Sequence, residues 1–183
     1  MYTYPHTIDN GAGESLTFLR RATDEKGEYL EVENLVQPGS GPPMHVHHYQ
    51  EEALTILQGR IGYQSLGGEE KFAEAGETVV FMPGVAHRFW NAGSEPMRCT
   101  GYVRPPDNIE YFLASIYEST RRNGGHRPDA FDSAYLLKRY RSEFDMPGIP
   151  AFVRKVIFPV QLFIGGLAGK SKRFADAPEP VRR

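Results

Sequence analysis

Short β-rich runs separated by turn residues dominate the first hundred positions of the chain. Between about residues 14 and 104, apolar and β-branched side chains recur in brief stretches bounded by glycine, proline, asparagine and aspartate. Examples lie at 16–20, 29–36, 61–66 and 78–82. Strands at this spacing are typical of a β-sandwich or barrel. Gly67-Gly68 predicts a hairpin turn within this region, and Pro105-Pro106 ends it, because proline cannot donate to a strand ladder.

The pattern then changes to helical spacing. Apolar side chains three and four residues apart predict one buried helix face, formed by Ile109, Phe112, Leu113, Ile116 and Tyr117. Asp107 is placed to cap this helix, with Glu110 three residues on as its partner. Gly124-Gly125 ends the helix. A second helix is predicted over 129–143.

A third apolar stretch, 149–168, raises the question of a membrane. It contains Arg154, Lys155, two prolines and Gly165-Gly166, whereas a transmembrane span needs about 20 apolar residues with few charges. We therefore expect no span here. A peripheral membrane contact through 149–173 stays open, because basic residues follow the apolar stretch. We favour packing of these helices on the barrel, on each other or on a partner subunit.

These patterns divide the 183 residues into a β-barrel domain at 1–105, a helical extension at 106–174 and a flexible tail at 175–183. The predicted fold class is therefore mainly β. A formal net charge of −2 gives no support to nucleic-acid binding. The single cysteine, Cys99, excludes an intrachain disulfide and fits a reducing cytoplasm. The first residues show no secretion signal, so we expect a cytoplasmic protein.

Three histidines and a glutamate form a candidate metal site. On a strand, side chains at i and i+2 share a face, so His45 and His47 point the same way, about 6–7 Å apart. Glu52 opens a strand whose other residues on that face are apolar, and a buried carboxylate is costly unless it is paired or bound to a metal. His87 opens a later strand. Imidazole and carboxylate suit Fe, Mn, Ni, Co or Zn, so we predict one divalent transition metal ion at these four residues.

Two neighbouring residues compete for the ligand roles. His48 lies on the opposite strand face from His47. Glu51 competes with Glu52, and Glu52 is favoured because it shares its face with the apolar residues of the same strand.

The residues around these ligands resemble the two sequence motifs of the cupin superfamily. The first motif is matched by Gly39, His45, His47, Glu52 and Gly59, and the second by Gly76, Gly84, His87 and Asn91. One position departs: Met82 stands where the second motif has proline, and Pro83 follows it. We expect a changed turn there and an intact site. The resemblance implies a single jelly-roll barrel (a double-stranded β-helix) with an α-helical extension after it.

The ligand set and the helical extension resemble those of quercetinase-like cupins, which implies a dioxygenase-like enzyme. In that family the residue matched by Glu52 binds the metal or acts as a catalytic base. We expect the substrate pocket to be lined by Leu54, Ile56, Tyr63, Phe89 and Tyr102. Without a convergent Arg or Lys cluster, the expected ligand is a small, uncharged, partly aromatic molecule. A metal-dependent isomerase, lyase or hydrolase and a non-catalytic binding or sensing module are the alternatives.

Two expectations concern the helical extension. Its apolar surface exceeds what a barrel of this size covers alone, and exposed apolar patches on monomers are usually limited, so we expect a homodimer. Part of 107–165 is also expected to lie at the barrel mouth and supply apolar wall to the pocket. A purely structural position on the outer face of the barrel is the alternative.

Overall fold

The structure, a computed structural model, describes residues 3–183. Within this range the chain forms a β-barrel followed by three α-helices. The strands, in chain order, are β1 (His6–Asp9), β2 (Glu14–Asp24), β3 (Gly27–Val36), β4 (Val46–His47), β5 (Glu51–Gln58), β6 (Arg60–Ser65), β7 (Lys71–Glu74), β8 (Thr78–Phe81), β9 (His87–Asn91), β10 (Met97–Arg104) and β11 (Phe144–Asp145).

Antiparallel pairing arranges these strands in one large and two small sheets. Six strands form the order β1-β2-β3-β10-β5-β8, three form β7-β6-β9, and β4 pairs with β11. Burial alternates along β3, where Leu30, Val32, Asn34 and Val36 are buried and the residues between them are more exposed. This period of two is that of a strand with one face turned to a core. The mainly β prediction is confirmed, and the strands begin at His6, ahead of the β-rich region predicted from about residue 14.

The helices follow the barrel in the predicted order. They are α1 (Ile109–Arg122), α2 (Ala130–Arg139) and α3 (Phe158–Leu167); a π-helical turn over Val153–Ile157 leads into α3, and a 3-10 turn over Lys170–Phe174 follows it. Asp129 caps α2 by accepting hydrogen bonds from the backbone N–H groups of Phe131 and Asp132. The second helix ends at Arg139, four residues before the predicted end.

The predicted cap of α1 is wrong. Asp107 has φ +42° and precedes the N-cap residue Asn108, which makes no side-chain cap bond. The distant Glu143 carboxylate instead accepts the Asn108 backbone N–H at 3.1 Å. Glu110, the predicted capping partner, is buried and accepts a hydrogen bond from the Tyr4 hydroxyl at 2.7 Å. Tertiary contacts have therefore replaced the local capping motif.

Barrel and extension share one hydrophobic core. Leu16, Phe18 and Leu30 of the barrel belong to the same buried cluster as Ile109 and Phe131 of the extension. The extension also supplies β11, which pairs with β4 next to the candidate ligands. The boundary at residue 105 thus marks a change of secondary structure within a continuous core.

The segment 175–183, expected to be a flexible tail, is held along the extension. Arg139 donates to the carbonyls of Ala177 and Pro178 at 3.0 Å each. The Val181 backbone N–H donates to Glu143 at 2.8 Å, and Arg183 pairs with Asp107 at 2.8 Å. The prediction rested on the general tendency of terminal residues to fray, and the sequence did not reveal these partners because they lie far away along the chain.

One face of the α3 region remains uncovered in the chain. Large apolar side chains that are 42% to 78% exposed line it: Phe152, Val156, Val160, Phe163, Ile164 and Leu167. The opposite side is packed, since Phe158 belongs to a buried cluster with Ala134 and Leu137. Among the described residues, no helix is long and apolar enough to cross a membrane.

Two adjacent glycines of α3 give a matched test of this packing. A Cβ at Gly165 would lie 2.1 Å from Phe131 Cδ2, whereas one at Gly166 would meet nothing within 4 Å. We expect Gly165→Ala to destabilise the protein by about 1–3 kcal/mol through overpacking. Gly166→Ala should raise stability by about 0.5–1 kcal/mol, because alanine favours helix over glycine.

Urea unfolding of both variants measures the two effects as opposite shifts of the midpoint at a constant slope. Equal stability of the two variants would show that α3 does not pack on Phe131 in this way.

Candidate metal centre

Backbone pairing brings the candidate ligands together. His45 and His87 form an isolated antiparallel bridge, with N–H···O distances of 2.9 and 2.8 Å in the two directions. His47 lies two residues beyond His45 in β4. Glu52 is the second residue of β5, in the large sheet that faces them. Each ligand therefore occupies a strand position whose side chain is directed by the pleat.

The altered turn before His87 keeps it in place. The Val85 N–H closes the turn on the Met82 carbonyl at 3.2 Å, and Gly84 has φ +76°, a conformation that glycine adopts without a Cβ clash. The Gly84 N–H donates to the His47 carbonyl at 2.7 Å. The departure from the motif at Met82 and Pro83 thus leaves the histidine beside its neighbours, as expected.

Four side-chain atoms converge tightly enough for one ion. One ligand atom from each of His45, His47, Glu52 and His87 lies within 4.8 Å of the others. Glu52 Oε2 is 3.3 Å from His87 Nε2 and 3.6 Å from His47 Nε2. Atoms bound about 2.0–2.2 Å from one ion lie about 3–4 Å apart when they are not opposite each other. The cluster could hold a metal ion.

The tautomers of two histidines also fit a cation. The Nδ1 atoms of His45 and His87 lie 2.8 and 2.9 Å from the carbonyls of Pro43 and Val85. Carbonyls only accept, so Nδ1 carries the proton and Nε2 presents a lone pair. Nε2 of His87 then faces Glu52 Oε2 without a hydrogen between them, and a cation is what two electron-rich atoms at this distance require.

The electrostatics favour the protonation states that a metal needs. Burial, followed by the neighbouring His45, lowers the pKa of His47 to about 3. Burial and the neighbouring His87 also lower the pKa of His45. Burial alone would raise the pKa of Glu52, but the neighbouring imidazoles, His87 foremost, lower it to about 2. Neutral imidazole and ionised carboxylate are the metal-binding forms.

The two competing residues lie outside the cluster. The backbone N–H of His48 donates to the Glu143 carbonyl at 2.8 Å, and the ring lies near that of Tyr49. Glu51 accepts a hydrogen bond from the Tyr102 hydroxyl at 2.6 Å. Strand parity therefore separated each pair of neighbours in the predicted direction, while metal binding itself stays a prediction.

A cavity of about 290 Å³ adjoins the cluster. His45, His47 and Glu52 lie in its wall, together with apolar residues of the barrel such as Leu30, Val32 and Leu54. The extension completes the wall with Ile109, Phe112, Leu113, Ile116, Leu137 and Met146. The structure thus places part of 107–165 over the pocket of its own barrel.

The predicted pocket residues divide into two groups. Leu54 and Phe89 line the cavity. Ile56 is fully buried in the core beyond it, and Tyr63 packs against that same core. Tyr102 directly precedes the inward-facing Val103 on β10, so its side chain points to the outer side of the barrel. There its hydroxyl donates a hydrogen bond to Glu51. Ile56, Tyr63 and Tyr102 therefore lie outside the cavity wall, because the pleat and the packing of their strands direct these side chains away from it.

Several groups at the cavity were missed in the sequence. Phe81 stacks on the His87 ring at 3.9 Å and 6°, and Phe144 meets His47 edge-on at 5.5 Å. Glu14 and Asn34 line the cavity. Glu14 is the first residue of β2 and Glu52 the second of β5, and each lies ahead of inward apolar residues. That shared pattern was the available signal.

Cys99 does not contribute chemistry to the site. It is a buried free cysteine, and burial raises the pKa of its thiol to about 12. A thiol needs to ionise before it can act as a nucleophile, so Cys99 is a packing residue, as its position in an apolar strand indicated.

Comparison with known proteins supports the fold. Residues 33–102 match a protein family described as "Cupin domain". An uncharacterised protein of Methanocaldococcus jannaschii is 34% identical over 79 residues, which are 43% of this chain and 62% of that protein. The chain therefore spans less than two thirds of the length of this relative.

Solved structures resemble the chain at low sequence identity. One is an uncharacterised conserved protein with a double-stranded β-helix domain from Klebsiella pneumoniae, at 22% identity over 57% of this chain and 82% of that one, with a TM-score of 0.43. A predicted oxalate decarboxylase from Thermotoga maritima has 22% identity over 54% and 90% of the two chains, with a TM-score of 0.43. KdgF from a Halomonas species has 14% identity over 54% and 86%, with a TM-score of 0.45.

Residues 33–102 match the cupin domain, and the chain joins a jelly-roll barrel to a C-terminal helical region. The predicted fold class is confirmed, and the match supports the cupin superfamily. The matched residues include Gly39, His45, His47, Glu52 and His87. The match to a cupin domain thus includes the histidine–glutamate group. The reaction is a separate question, because this fold hosts unrelated functions.

Adjacent histidines give a matched test of the metal centre. We expect His47→Ala to reduce bound metal well below one ion per chain, because it removes a ligand from the cluster. His48→Ala should retain the metal, because that residue lies outside the cluster. Elemental analysis of protein purified without added metal makes the measurement. Equal metal content in the two variants would contradict the assignment.

Proposed function

We propose that this protein is a mononuclear metal-dependent cupin enzyme of the quercetinase-like kind, a dioxygenase that acts on a small, uncharged, partly aromatic substrate. The observation that carries the proposal is the junction of the His45, His47, Glu52 and His87 cluster with an apolar cavity closed by the helical extension. Such an arrangement positions a substrate beside the ligands and keeps bulk water away.

Different residues of the chain would hold the metal, orient its ligands and pack against the substrate. A divalent transition metal ion bound here would supply a Lewis acid with open positions for substrate and dioxygen. The three imidazoles hold it, and the carbonyls of Pro43 and Val85 orient two of them. The stacked Phe81 ring fixes the plane of His87. Phe89 and Phe112 supply aromatic wall against which a planar substrate packs.

Glu52 has two available roles. Its carboxylate is ionised at neutral pH, because the neighbouring imidazoles lower its pKa to about 2. It lies in the cavity wall, so it serves as a metal ligand or accepts the proton of a substrate hydroxyl at Oε2. The proton acceptor must be within hydrogen-bonding reach of the substrate, and Glu52 meets that condition where Glu51, bonded to Tyr102 on the outer side, does not.

The charged residues that line the cavity bear on which of the alternative functions is favoured. Among the described residues that line it, none is arginine or lysine. Phosphorylated sugars and sugar nucleotides need such groups, so isomerases and epimerases that act on them are disfavoured. An isomerase or lyase for an uncharged substrate and a non-catalytic binding module remain the alternatives to the dioxygenase.

Oxygen consumption tests the proposal. We expect the metal-loaded protein to take up dioxygen with members of a panel of flavonols and β-diketones, and to bind the same compounds without turnover under anaerobic conditions. Glu52→Gln should lower turnover at least about a hundredfold, in the range of general acid–base contributions, and Glu51→Gln should leave it unchanged. Anaerobic binding without any oxygen uptake would contradict the dioxygenase and favour the binding module.

The uncovered α3 face supports the proposed homodimer. Its six large apolar side chains expose on the order of 600 Å² of surface, at the upper end of what monomers usually expose in one patch. A second copy of the chain would cover it.

The cytoplasmic location also remains part of the proposal, because the single free cysteine fits a reducing compartment.

Light scattering at micromolar concentration measures the assembly. We expect the mass of a dimer for the wild-type protein and of a monomer for Phe163→Glu combined with Leu167→Glu, because two charges would be buried in the contact. Leu66→Glu, at an exposed apolar residue of the β6–β7 turn, is the control that should remain dimeric. A wild-type monomer that instead sediments with anionic lipid vesicles would replace the dimer by the peripheral membrane contact.

A further inference from the structure

The cavity contains a second polar group besides the histidines and Glu52. Glu14 of β2 and Asn34 of β3 line it and are only 7% and 5% exposed. Glu14 Oε1 and Asn34 Oδ1 are both buried without a hydrogen-bond partner of normal geometry among the described residues. Tyr117 of α1 lines the same region, and its hydroxyl interacts with the Glu14 carboxyl. We call Glu14, Asn34 and Tyr117 the distal cluster.

Strand register places the distal cluster away from the candidate ligands. Glu52 is level with Val103, which pairs with Leu30 of β3. Asn34 lies four residues farther along β3, or about 13 Å at 3.3 Å per residue. Glu14 is level with Val36, still farther in the same direction. Measured along β3, the two polar groups of the cavity are therefore at different levels, with apolar wall between them, although Glu14 and Glu52 still interact electrostatically.

The orphaned acceptors are costly where they stand. A buried acceptor that gives up water without a partner forfeits the free energy of a hydrogen bond. Asn10 donates to Glu14 Oε2 at 3.0 Å, and the Tyr117 hydroxyl interacts with the same carboxyl, yet Oε1 has no hydrogen bond of normal geometry among the described residues. Burial raises the pKa of Glu14 to about 7. An apolar side chain at this position would avoid the free-energy cost of burying a polar group. Leu16, two residues farther on the same strand face, is buried in this way.

The missing partner must be a hydrogen-bond donor inside an apolar cavity. Both unsatisfied atoms are oxygens that accept, and the phenol of Tyr117 can donate or accept. No arginine or lysine of the described residues lines the cavity, so no side chain of that kind completes the group. An uncharged donor fits the apolar surroundings better than an ammonium, whose desolvation is expensive.

We propose that the distal cluster is a recognition site for a hydroxyl group of the ligand, so that the cavity takes an elongated, largely apolar molecule with a phenolic or alcoholic hydroxyl at the end remote from the histidines. The proposal rests on the proposed function only in taking the cavity as the ligand site. It does not need oxygen chemistry. The competing explanation is a permanently bound water that bridges the two oxygens.

A pair of small probes that differ by one hydroxyl tests the site without metal or turnover. p-Cresol and toluene are titrated into the metal-free protein, with protein-detected NMR as the readout. The ratio of their dissociation constants is compared between wild type and variants, so that the different hydration of the probes cancels. We expect the wild-type ratio to favour p-cresol about tenfold more than the ratio in Glu14→Leu or Asn34→Leu, as one hydrogen bond provides.

Two further variants separate recognition from packing. Glu14→Gln keeps an acceptor at the same place and should retain most of the preference. Ile56→Leu changes the packed core beyond the cavity and should leave the ratio unchanged. Glu14→Leu and Asn34→Leu each replace a buried polar group by an apolar one of similar size, so they are expected to fold.

The outcomes are distinct from those of the oxygen experiment. A ratio that is the same in wild type, Glu14→Leu and Asn34→Leu would overturn the proposal in favour of bridging water, and so would failure of both probes to bind. A lost preference in the two leucine variants that Glu14→Gln restores would support it, even in a protein that consumes no oxygen. Oxygen uptake with an unchanged probe ratio would uphold the enzyme and refute the distal site.

Discussion

Glu52 places a carboxylate in a barrel interior where the next inward residues of its strand are Leu54 and Ile56. A charge in such surroundings persists only with close partners, and the structure supplies three imidazoles around it. Two of those imidazoles are fixed by backbone carbonyls, and the His45–His87 bridge holds their strands at the required separation. The local folding of three strands is therefore coupled to the stabilisation of one carboxylate.

That coupling extends into the helical region. His47 belongs to β4, a two-residue strand whose partner in the sheet is β11 of the extension, and Phe144 of β11 packs on the His47 ring. The buried Glu143 beside it accepts bonds from Asn108 and Val181. One short segment thus ties together a candidate ligand, the start of α1 and the chain end. The extension is part of the site's support, and a barrel cut after residue 104 would lose the wall of the cavity and the partner of β4.

Sequence reasoning succeeded where one periodicity decided the outcome. Strand parity separated His47 from His48 and Glu52 from Glu51, because the pleat directs alternate side chains to opposite faces. It failed where distant partners override local preference. Asp107 has the composition of a helix cap, yet Arg183 and Gln50 compete for its carboxylate. The last residues were expected to be flexible because terminal segments commonly fray, yet Glu143 and Arg139 form hydrogen bonds with them. Tyr102 was assigned to the pocket by residue type, although its parity with Val103 directs it outward.

Strand parity can also be applied to polar residues outside the known motifs. It then indicates what kind of ligand the cavity could bind. Glu14 and Glu52 each lie at the start of a strand, as its first and second residue respectively, and share its inward face with apolar residues. A charge-bearing side chain at such a position is expensive, so it marks a place where something other than the chain completes the structure. At Glu52 we expect that complement to be a cation, because the neighbours present lone pairs. At Glu14 the unpartnered atoms are its own Oε1 and the Asn34 Oδ1, so the complement we propose there is a hydrogen-bond donor. The apolar wall between them, half of which comes from the extension, then sets the length and polarity of the molecule that can reach both.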